Sequence, residues 1–331
     1  MERKAYLLFS GGLDSIIAAK LLKRLGFKVV GVHITSPFFE KELGRLKELA
    51  ERLGIELKIV EAGDDYLEML KSPVYGYGKN VNPCIDCKAY MLKKLKEIAG
   101  EEGIIATGEV LGQRPMSQHM QAFRSIEKLS GLKGRVLRPL SGKLLSPTIY
   151  EEQGIVNKEE LLDLKGRSRK RYPEILKNLG IDVDSLPTPA GGCLLTEPSF
   201  AVKVKDLMEH DELTWENVKL LKVGRHFRVG NCKLVVGRNA VENAKIRKSL
   251  KDSDYFLTVP GVPSPDALLR CKGEPERDVL KTSAGIVARY SDAKNEPKVN
   301  VAVYRNGKLI EELDVEPVLD TAPYAVTRKG S

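Results

Sequence analysis

Short apolar runs alternate with segments of helical periodicity over the first half of the chain. The runs of strand length are KAYLLF, KVVGVHIT, ELKIVEA and GIIATGEV. The segments between them have helical spacing and end near a glycine, as in DSIIAAKLLKRLG, FFEKELGRLKELAERLG and AYMLKKLKEIAGEEG. Strands that alternate with helices form parallel sheets. The pattern therefore predicts a doubly wound parallel α/β domain over residues 1–160.

The pattern changes twice in the second half of the chain. From about residue 161 it becomes helical and strongly charged, which predicts a helical, cysteine-bearing connecting region over 161–214. After Trp215, apolar and polar residues alternate between turn signals, which predicts a separate α+β domain over 215–331. The RNG sequence in this last segment predicts a β-hairpin.

The composition is that of a folded protein with a positive surface. The chain has 331 residues, 42% of them hydrophobic, which is enough to bury the cores of two domains. No stretch approaches the ~18 consecutive apolar residues of a membrane span, and no signal-peptide core follows the N-terminus. We therefore expect a cytoplasmic protein without membrane contact. The net charge of +9 favours a polyanionic partner, although a solvated Lys- and Glu-rich surface has the same composition.

The first predicted strand runs directly into the sequence SGGLDS. Gly11 and Gly12 let the backbone approach an anion closely, and the helix that starts near Asp14 adds its positive N-terminal dipole. The hydroxyls of Ser10 and Ser15 can donate hydrogen bonds to the same anion. The lysine of a Walker motif is absent, so transfer of a γ-phosphoryl group is not indicated. A tight capped turn without ligand is the alternative interpretation.

The SGGLDS stretch resembles the motif of the PP-loop ATP pyrophosphatases at Ser10, Gly11, Gly12, Asp14 and Ser15. The resemblance implies that ATP is cleaved between its α- and β-phosphates, and that the loop holds the pyrophosphate. A carbonyl oxygen of the second substrate is then adenylated. Asp14 would orient Mg²⁺. His33, at the end of the second strand, would lie at the adenosine, although a packing role suits a lone histidine equally.

A second motif follows the GIIATGEV strand, where ligands bind in parallel sheets. The stretch resembles the catalytic domain of tRNA 4-thiouridine synthetases, and Gly108 and Gln113 are its candidates for binding the nucleotide. Its matching residues are Thr107, Gly108, Glu109, Leu111, Gly112, Gln113, Ser117, Gln118, Arg124 and Ile126, followed by VLRPLSG. Those enzymes carry an RNA-capturing region with a THUMP domain before the PP-loop, whereas this sequence enters the loop at once. Capture of tRNA is therefore expected from another part of the chain.

Five cysteines without a secretory signal favour sulfur or metal chemistry over a disulfide framework. Cys84 and Cys87 form a CxxC pair, and Cys193 lies in a glycine-rich turn. Together they can ligate one metal centre with an open position, carry sulfur as persulfides, bind zinc with His119, or be inert. Cys232 and Cys271 have no spaced partner and are predicted to be core thiols.

The same cysteine spacing resembles that of PP-loop tRNA thiolases that hold a [4Fe-4S] cluster through a CxxC pair and one distant cysteine. This resemblance implies that Cys84, Cys87 and Cys193 are metal ligands and catalytic residues, with one iron open to the incoming sulfide. Asp86, between the paired cysteines, is a candidate for positioning the base or moving a proton.

Basic residues are frequent in the predicted third segment and can follow a phosphate backbone. They are Arg225, Arg228, Lys233, Arg238, Lys245, Arg247 and Lys248. The stretch VGRNAVENAKI among them resembles the C-terminal RNA-binding module of NFACT-type ribosome quality-control proteins, which implies a tRNA-capturing role. A dimerisation or lid domain is the alternative.

Taken together, these features predict an ATP-dependent tRNA sulfurtransferase that makes 4-thiouridine, with ATP, Mg²⁺ and a [4Fe-4S] cluster as cofactors. A wobble-uridine 2-thiouridylase that uses a cysteine persulfide, an ammonia-using PP-loop synthetase and a non-catalytic RNA-binding protein are the alternatives. The sulfur donor, either sulfide or a persulfide carrier, and a homodimeric state are left open.

Overall fold

The computed structural model describes residues 3–40, 42–181 and 192–327. The chain divides into two compact units, Met1–Thr196 and Glu197–Ser331. The sequence-based borders at residues 160 and 214 differ from this division. Among the described residues, no helix is long and apolar enough to cross a membrane.

Within its described residues, the first unit is built on a five-stranded parallel sheet. The strands are β1 (Lys4–Leu8), β2 (Lys28–Thr35), β3 (Glu56–Glu61), β4 (Ile104–Thr107) and β5 (Val136–Leu137). Their order is β3-β2-β1-β4-β5, and every neighbouring pair is parallel. The order reverses between β1 and β4, so the connections that leave these two strands diverge and open a crevice at the carboxyl edge. The predicted parallel α/β fold is confirmed.

Helices cover this sheet. They are α1 (Leu13–Arg24), α2 (Leu43–Leu53), α3 (Asp64–Lys71), α4 (Cys84–Ala99), α5 (Met120–Ser130), α6 (Ile149–Glu152) and α7 (Tyr172–Asn178). In α1, Ile16, Ile17 and Leu22 are fully buried in the same core as Leu7 and Phe9. Burial of each such side chain stabilises the fold by about 1.5–3 kcal/mol. The start of α1 is therefore held firmly against the sheet.

Three local features of the first unit differ from the sequence pattern. Helix α3 was not predicted, and α4 begins already at Cys84, so the CxxC pair lies on its first turn. Within residues 161–181, where the predicted helical run begins, the helix is α7 alone. Before it, Leu162 and Leu164 donate backbone hydrogen bonds to the carbonyls of Pro139 and Leu140. These long-range bonds hold the segment extended despite its helical periodicity.

The second unit has an antiparallel sheet of its own. Its strands are β6 (Arg225–Val229), β7 (Cys232–Val236), β8 (Tyr255–Thr258), β9 (Ala267–Cys271), β10 (Val299–Arg305) and β11 (Lys308–Val315). Its helices are α8 (Pro198–Glu209), α9 (Trp215–Leu220), α10 (Ala240–Lys248) and α11 (Arg277–Arg289). The strand order is β11-β10-β8-β9-β7-β6. The predicted RNG hairpin joins β10 to β11, with positive φ at Asn306 and Gly307 as its tight turn requires.

The prediction that Cys232 and Cys271 are core thiols without a partner is wrong. They form a disulfide, with their Cα atoms 4.2 Å apart. The two residues are 39 positions apart in sequence, but the antiparallel register of β7 and β9 sets them directly opposite each other. Strand pairing, which spacing along the chain does not reveal, creates this bond.

Two of the basic residues predicted to follow a phosphate backbone are turned inward. The Arg228 guanidinium lies 2.7 Å from Asp206 and 2.8 Å from Glu212, and the Lys233 ammonium bonds to Asp206 as well. Lys233 is only 2% exposed. Neither cation reaches solvent freely, so this part of the prediction is wrong, whereas Arg225 is exposed on β6.

Candidate functional site

The SGGLDS loop joins the end of β1 to the start of α1. Gly11 has φ +69°, a left-handed conformation that a Cβ would strain. Gly12 is the extended N-cap of the 12-residue helix α1, and no side chain caps that helix end by a hydrogen bond. The first backbone N–H groups of a helix and its dipole both favour a negative charge at this place. The loop therefore has the geometry of an anion-binding turn.

The serine hydroxyl groups of the loop form hydrogen bonds within the loop itself. Ser15 donates to the carbonyl of Gly12 at 2.7 Å, and the amide of Gly12 lies 3.3 Å from the Ser10 Oγ. The two serine hydroxyls are 3.4 Å apart. The candidate phosphate ligands are thus gathered at one turn, and their contact with ATP stays a prediction.

Gly108 packs directly against this loop. It follows β4, the sheet neighbour of β1, on the other side of the crevice. A Cβ at Gly108 would lie 2.9 Å from backbone atoms of Asp14 and Ser15. Only glycine permits this approach, which explains the glycine at the second position of the TGE motif, beside the nucleotide loop.

Tyr172 connects the two motifs and was not identified from the sequence. Its hydroxyl donates to the Asp14 carboxylate at 2.6 Å and accepts a longer contact of 3.4 Å from the Gln113 amide. Burial and the neighbouring Asp14 charge raise the pKa of Tyr172 well above its usual range, so the phenol stays protonated. Tyr172 lies 158 residues from Asp14, and only the docking of the segment before α7 against Leu111 brings them together.

His33 lies near the end of β2 and is buried. Its Nδ1 is 2.9 Å from the carbonyl oxygen of Phe9, the residue that follows β1. The ring is thus oriented between two strand ends next to the crevice. Its predicted contact with adenosine stays a prediction.

The glutamate of the TGE motif anchors the neighbouring strand. Glu109 accepts hydrogen bonds from Thr107 at 3.1 Å and from Arg138 at 3.2 Å. Arg138 is 3% exposed, pairs with Glu127 and lies 4.0 Å from the centre of the Phe123 ring. This network ties the ends of β4 and β5 together and stiffens the edge of the crevice.

Cys84 and Cys87 lie on the first turn of α4, beside the aromatic ring of Tyr66. The Tyr66 hydroxyl donates to Cys87 Sγ at 3.4 Å, and the Cys84 thiol donates to Asn82 Oδ1 at 2.9 Å. Tyr66 is completely buried and stacks edge-on against Tyr90. It is a second site residue that sequence spacing did not identify.

Cys193 is brought to the same place by backbone hydrogen bonds. The amide of Leu194 donates to the carbonyl of Phe38 at 2.9 Å, and the amide of Val81 donates to the carbonyl of Leu195 at 3.3 Å. The first contact fixes the Cys193 segment beyond the end of β2, and the second fixes it beside the loop that leads into α4. All three cysteines are near enough to raise the pKa of the Tyr66 phenol, after the larger effect of its burial. The three predicted residues therefore lie in the neighbourhood of one phenol, and Cys87 contacts it directly.

Burial favours the protonated form of the Cys84 and Cys87 thiols. Burial raises the pKa of Cys87 to about 11, against a smaller lowering by the Tyr66 hydrogen bond. Burial also raises the pKa of Cys84, which the charges of Lys88 and Arg114 partly offset. In the described part of the chain, no three His, Cys, Asp or Glu side chains are arranged to hold a metal ion. A metal would have to displace these protons.

Asp86 and His119 have structural contacts. Asp86 is 2% exposed and accepts the amides of Val74 at 2.6 Å and Tyr75 at 3.1 Å. His119 is the N-cap of α5 and accepts from the amide of Ala122 at 3.3 Å. The proton-transfer role of Asp86 stays a prediction.

Comparison with known proteins supports the assignments for both units. Residues 1–145 match a family model described as thiamine biosynthesis protein (ThiI). The first unit is therefore similar to the ThiI family over these residues. Residues 224–322 match the model of the NFACT protein RNA binding domain. The predicted resemblances of the first unit and of the second unit are thereby confirmed.

Curated relatives of the first unit include two kinds of protein named for tRNA thiolation. The chain is 32% identical over 171 residues to "Probable tRNA sulfurtransferase" of Thermococcus kodakarensis, covering 49% of this chain and 40% of that protein. It is 32% identical over 118 residues to "tRNA-specific 2-thiouridylase MnmA" of Nitratiruptor sp., covering 33% of this chain and 35% of that protein. The matches therefore span two fifths of these relatives or less. A solved structure described as a 4-thiouridine synthetase–RNA complex with bound ATP has 25% identity and a TM-score of 0.34, covering 56% of this chain and 50% of that chain.

Proposed function

We propose that this protein is an ATP-dependent tRNA sulfurtransferase that replaces a uridine carbonyl oxygen with sulfur. The observation that carries the proposal is the placement of an anion-binding loop and three cysteines at the carboxyl edge of one sheet. The loop follows β1, while the Cys193 segment is bonded to Phe38, which lies beyond the end of β2. The names of the curated relatives support the same reaction.

In the first step, a uridine carbonyl oxygen attacks the α-phosphorus of ATP, and the bond to pyrophosphate breaks. The amides at Gly11 and Gly12 and the dipole of α1 stabilise the departing pyrophosphate charge. Asp14 fits a Mg²⁺ ligand, because Mg²⁺ in such sites needs only one or two carboxylates beside the phosphates. The Tyr172 hydroxyl orients that carboxylate.

In the second step, a sulfur nucleophile adds to the activated ring carbon. The C–O bond to AMP then breaks, so the original oxygen leaves with AMP and the sulfur remains as C=S. A uridine carbonyl oxygen is a poor leaving group, whereas AMP is a good one. We assign the handling of sulfur to Cys84, Cys87 and Cys193, which lie in the neighbourhood of Tyr66.

The chemistry of these donors fits a [4Fe-4S] cluster with one open iron, which would supply a binding position for sulfide when present. The chain has three free cysteines, since the other two form a disulfide, and three thiolate ligands are the number that leaves one iron open. In the arrangement seen here the described side chains form no metal site, so cluster binding requires the thiols to move together. A persulfide carried on one thiol and resolved by a second is the other candidate. The printed name of the 2-thiouridylase relatives makes 2-thiouridine the alternative to 4-thiouridine as the product.

We further propose that the second unit captures the tRNA, and that the protein acts in the cytoplasm. Exposed cations on α10 and β6 support this role, including Arg225, Lys245 and Lys248. Each contacted phosphate would add about one unit to the salt dependence of binding.

The test is single replacement of Cys84, Cys87 and Cys193 by alanine, with anaerobic reconstitution of each variant. Iron content and thiouridine yield by nucleoside mass spectrometry are measured on the same sample. Cluster ligation predicts joint loss of iron and thiouridine in all three variants. The ligands of one cluster act as a unit, so that replacement of any one of them removes most of the function. Persulfide chemistry predicts one dispensable cysteine and full activity without iron. The Cys232→Ser/Cys271→Ser double variant is the control, and absence of any thiolated nucleoside from wild-type reactions would refute the proposed function.

A further inference from the structure

A patch of exposed apolar side chains lies on the loop over residues 72–78, which we call the platform loop. Val74 is 73% exposed, Tyr75 42% and Tyr77 40%. Met116, 43% exposed, packs against the same loop, since a Cβ on Gly78 would lie 2.7 Å from its Cε atom. Single exposed apolar residues are ordinary, but three on one short loop with a fourth packed against it indicate a binding surface.

The platform loop is rigidly held from below. The buried Asp86 carboxylate accepts the amides of Val74 and Tyr75, and the Tyr77 hydroxyl donates to the carbonyl of Leu70 at 2.6 Å. The loop backbone at Val74 and Tyr75 and the ring of Tyr77 are therefore held in a fixed arrangement. A ligand that binds them does not have to order the loop, which reduces the entropy cost of binding.

The platform loop also adjoins the thiols. The amide of Gly78 donates to the carbonyl of Asn82 at 2.8 Å, and the side chain of Asn82 accepts from the Cys84 thiol. Arg114 and Lys88 lie near enough to Cys84 for their charges to lower its pKa against the effect of burial. Flat apolar faces, positive charge and the candidate reacting groups thus occur together.

We propose that the platform loop stacks an unpaired nucleobase of the substrate RNA beside the thiols, with Tyr75 as the stacking face. This inference rests on the proposed function. Single-stranded RNA is bound by aromatic rings that stack on bases and by cations that meet phosphates, which is the combination found here. A base held next to the reacting uridine keeps the RNA unpaired while sulfur is transferred.

The experiment compares Tyr75→Ala and Tyr75→Phe in the full chain. The RNA is an unmodified tRNA transcript with 2-aminopurine next to the uridine that nucleoside analysis identifies. Loss of one base–aromatic stack is worth roughly a fivefold to hundredfold loss of RNA affinity. We expect this loss, and loss of 2-aminopurine quenching, in Tyr75→Ala, while Tyr75→Phe retains both. Affinity for ATP stays unchanged in both variants, because the nucleotide loop is built from other residues.

Leu144→Ala is the matched control, since Leu144 is 43% exposed in the same unit but lies outside the platform loop. Wild-type quenching and affinity in Tyr75→Ala would overturn the inference while leaving the proposed function intact. So would a variant that binds RNA normally but no longer accepts sulfur from a protein donor, since the patch would then be a donor-binding surface. If Tyr75→Ala does not fold, Tyr75→Leu removes the aromatic face and is judged by the same outcomes.

Discussion

Replacement of Gly108 by alanine tests whether the TGE motif controls the shape of the nucleotide loop. The added Cβ would lie 2.9 Å from the carbonyl carbon and oxygen of Asp14 and from the Cα of Ser15, whereas ordinary contact begins at 3.4 Å. The obstacles are backbone atoms, so the first turn of α1 must retreat by about 0.5 Å. Overpacking of this kind costs about 1–3 kcal/mol.

We expect Gly108→Ala to lower the melting temperature by several degrees, at about 2–4 °C per kcal/mol for a unit of this size. We also expect about tenfold weaker ATP binding, the effect of roughly 1.4 kcal/mol, because the displaced turn carries the phosphate-facing amides. Calorimetric titration with a non-hydrolysable ATP analogue measures the second effect, and differential scanning calorimetry the first.

Gly44→Ala is the matched control for this experiment. Gly44 lies inside α2, and its added Cβ would meet nothing within 4 Å. Alanine is the better helix former there by about 0.5–1 kcal/mol, so this variant is expected to be as stable as wild type or more so. If Gly108→Ala binds the analogue with wild-type affinity and has the same melting temperature as Gly44→Ala, the close packing of the two motifs has no role in nucleotide binding.

Three further outcomes are expected. Tyr172→Phe removes the hydrogen bond to Asp14 and should raise the Mg²⁺ concentration needed for pyrophosphate release, with a smaller effect on ATP affinity. Identical Mg²⁺ titration curves for variant and wild type would contradict this. The Arg238 guanidinium lowers the pKa of Glu242 from 4.5 to about 2. The ion pair therefore stabilises the fold fully above pH 4.5, and this contribution is lost as the pH falls from about 4.5 to 2. The difference in free energy of unfolding between wild type and Glu242→Gln should close over this window, and a pH-independent difference would exclude the pair as its cause. Reduction of the Cys232–Cys271 bond should lower the stability of the second unit by about 2–4 kcal/mol in thiol-containing denaturant titrations, and no response to reductant would argue against the bond.

Local patterns determined the parallel α/β unit, because strand and helix periodicities are set by near neighbours in sequence. The same holds for the SGGLDS loop, where the residues that shape the turn are adjacent, and for the hairpin at Asn306 and Gly307, whose left-handed backbone is a property of two residues. Short-range conformational preference suffices in each case.

Only the tertiary structure decided which distant groups meet. Tyr172 reaches Asp14 across 158 residues because a segment with helical periodicity is held extended by long-range hydrogen bonds. Cys232 lies opposite Cys271 because of the register of their two strands. The sequence predicts a surface position for Lys233, but its ammonium is buried against Asp206. These contacts depend on how strands and loops pack, and packing energy outweighs local preference where many long-range contacts form together.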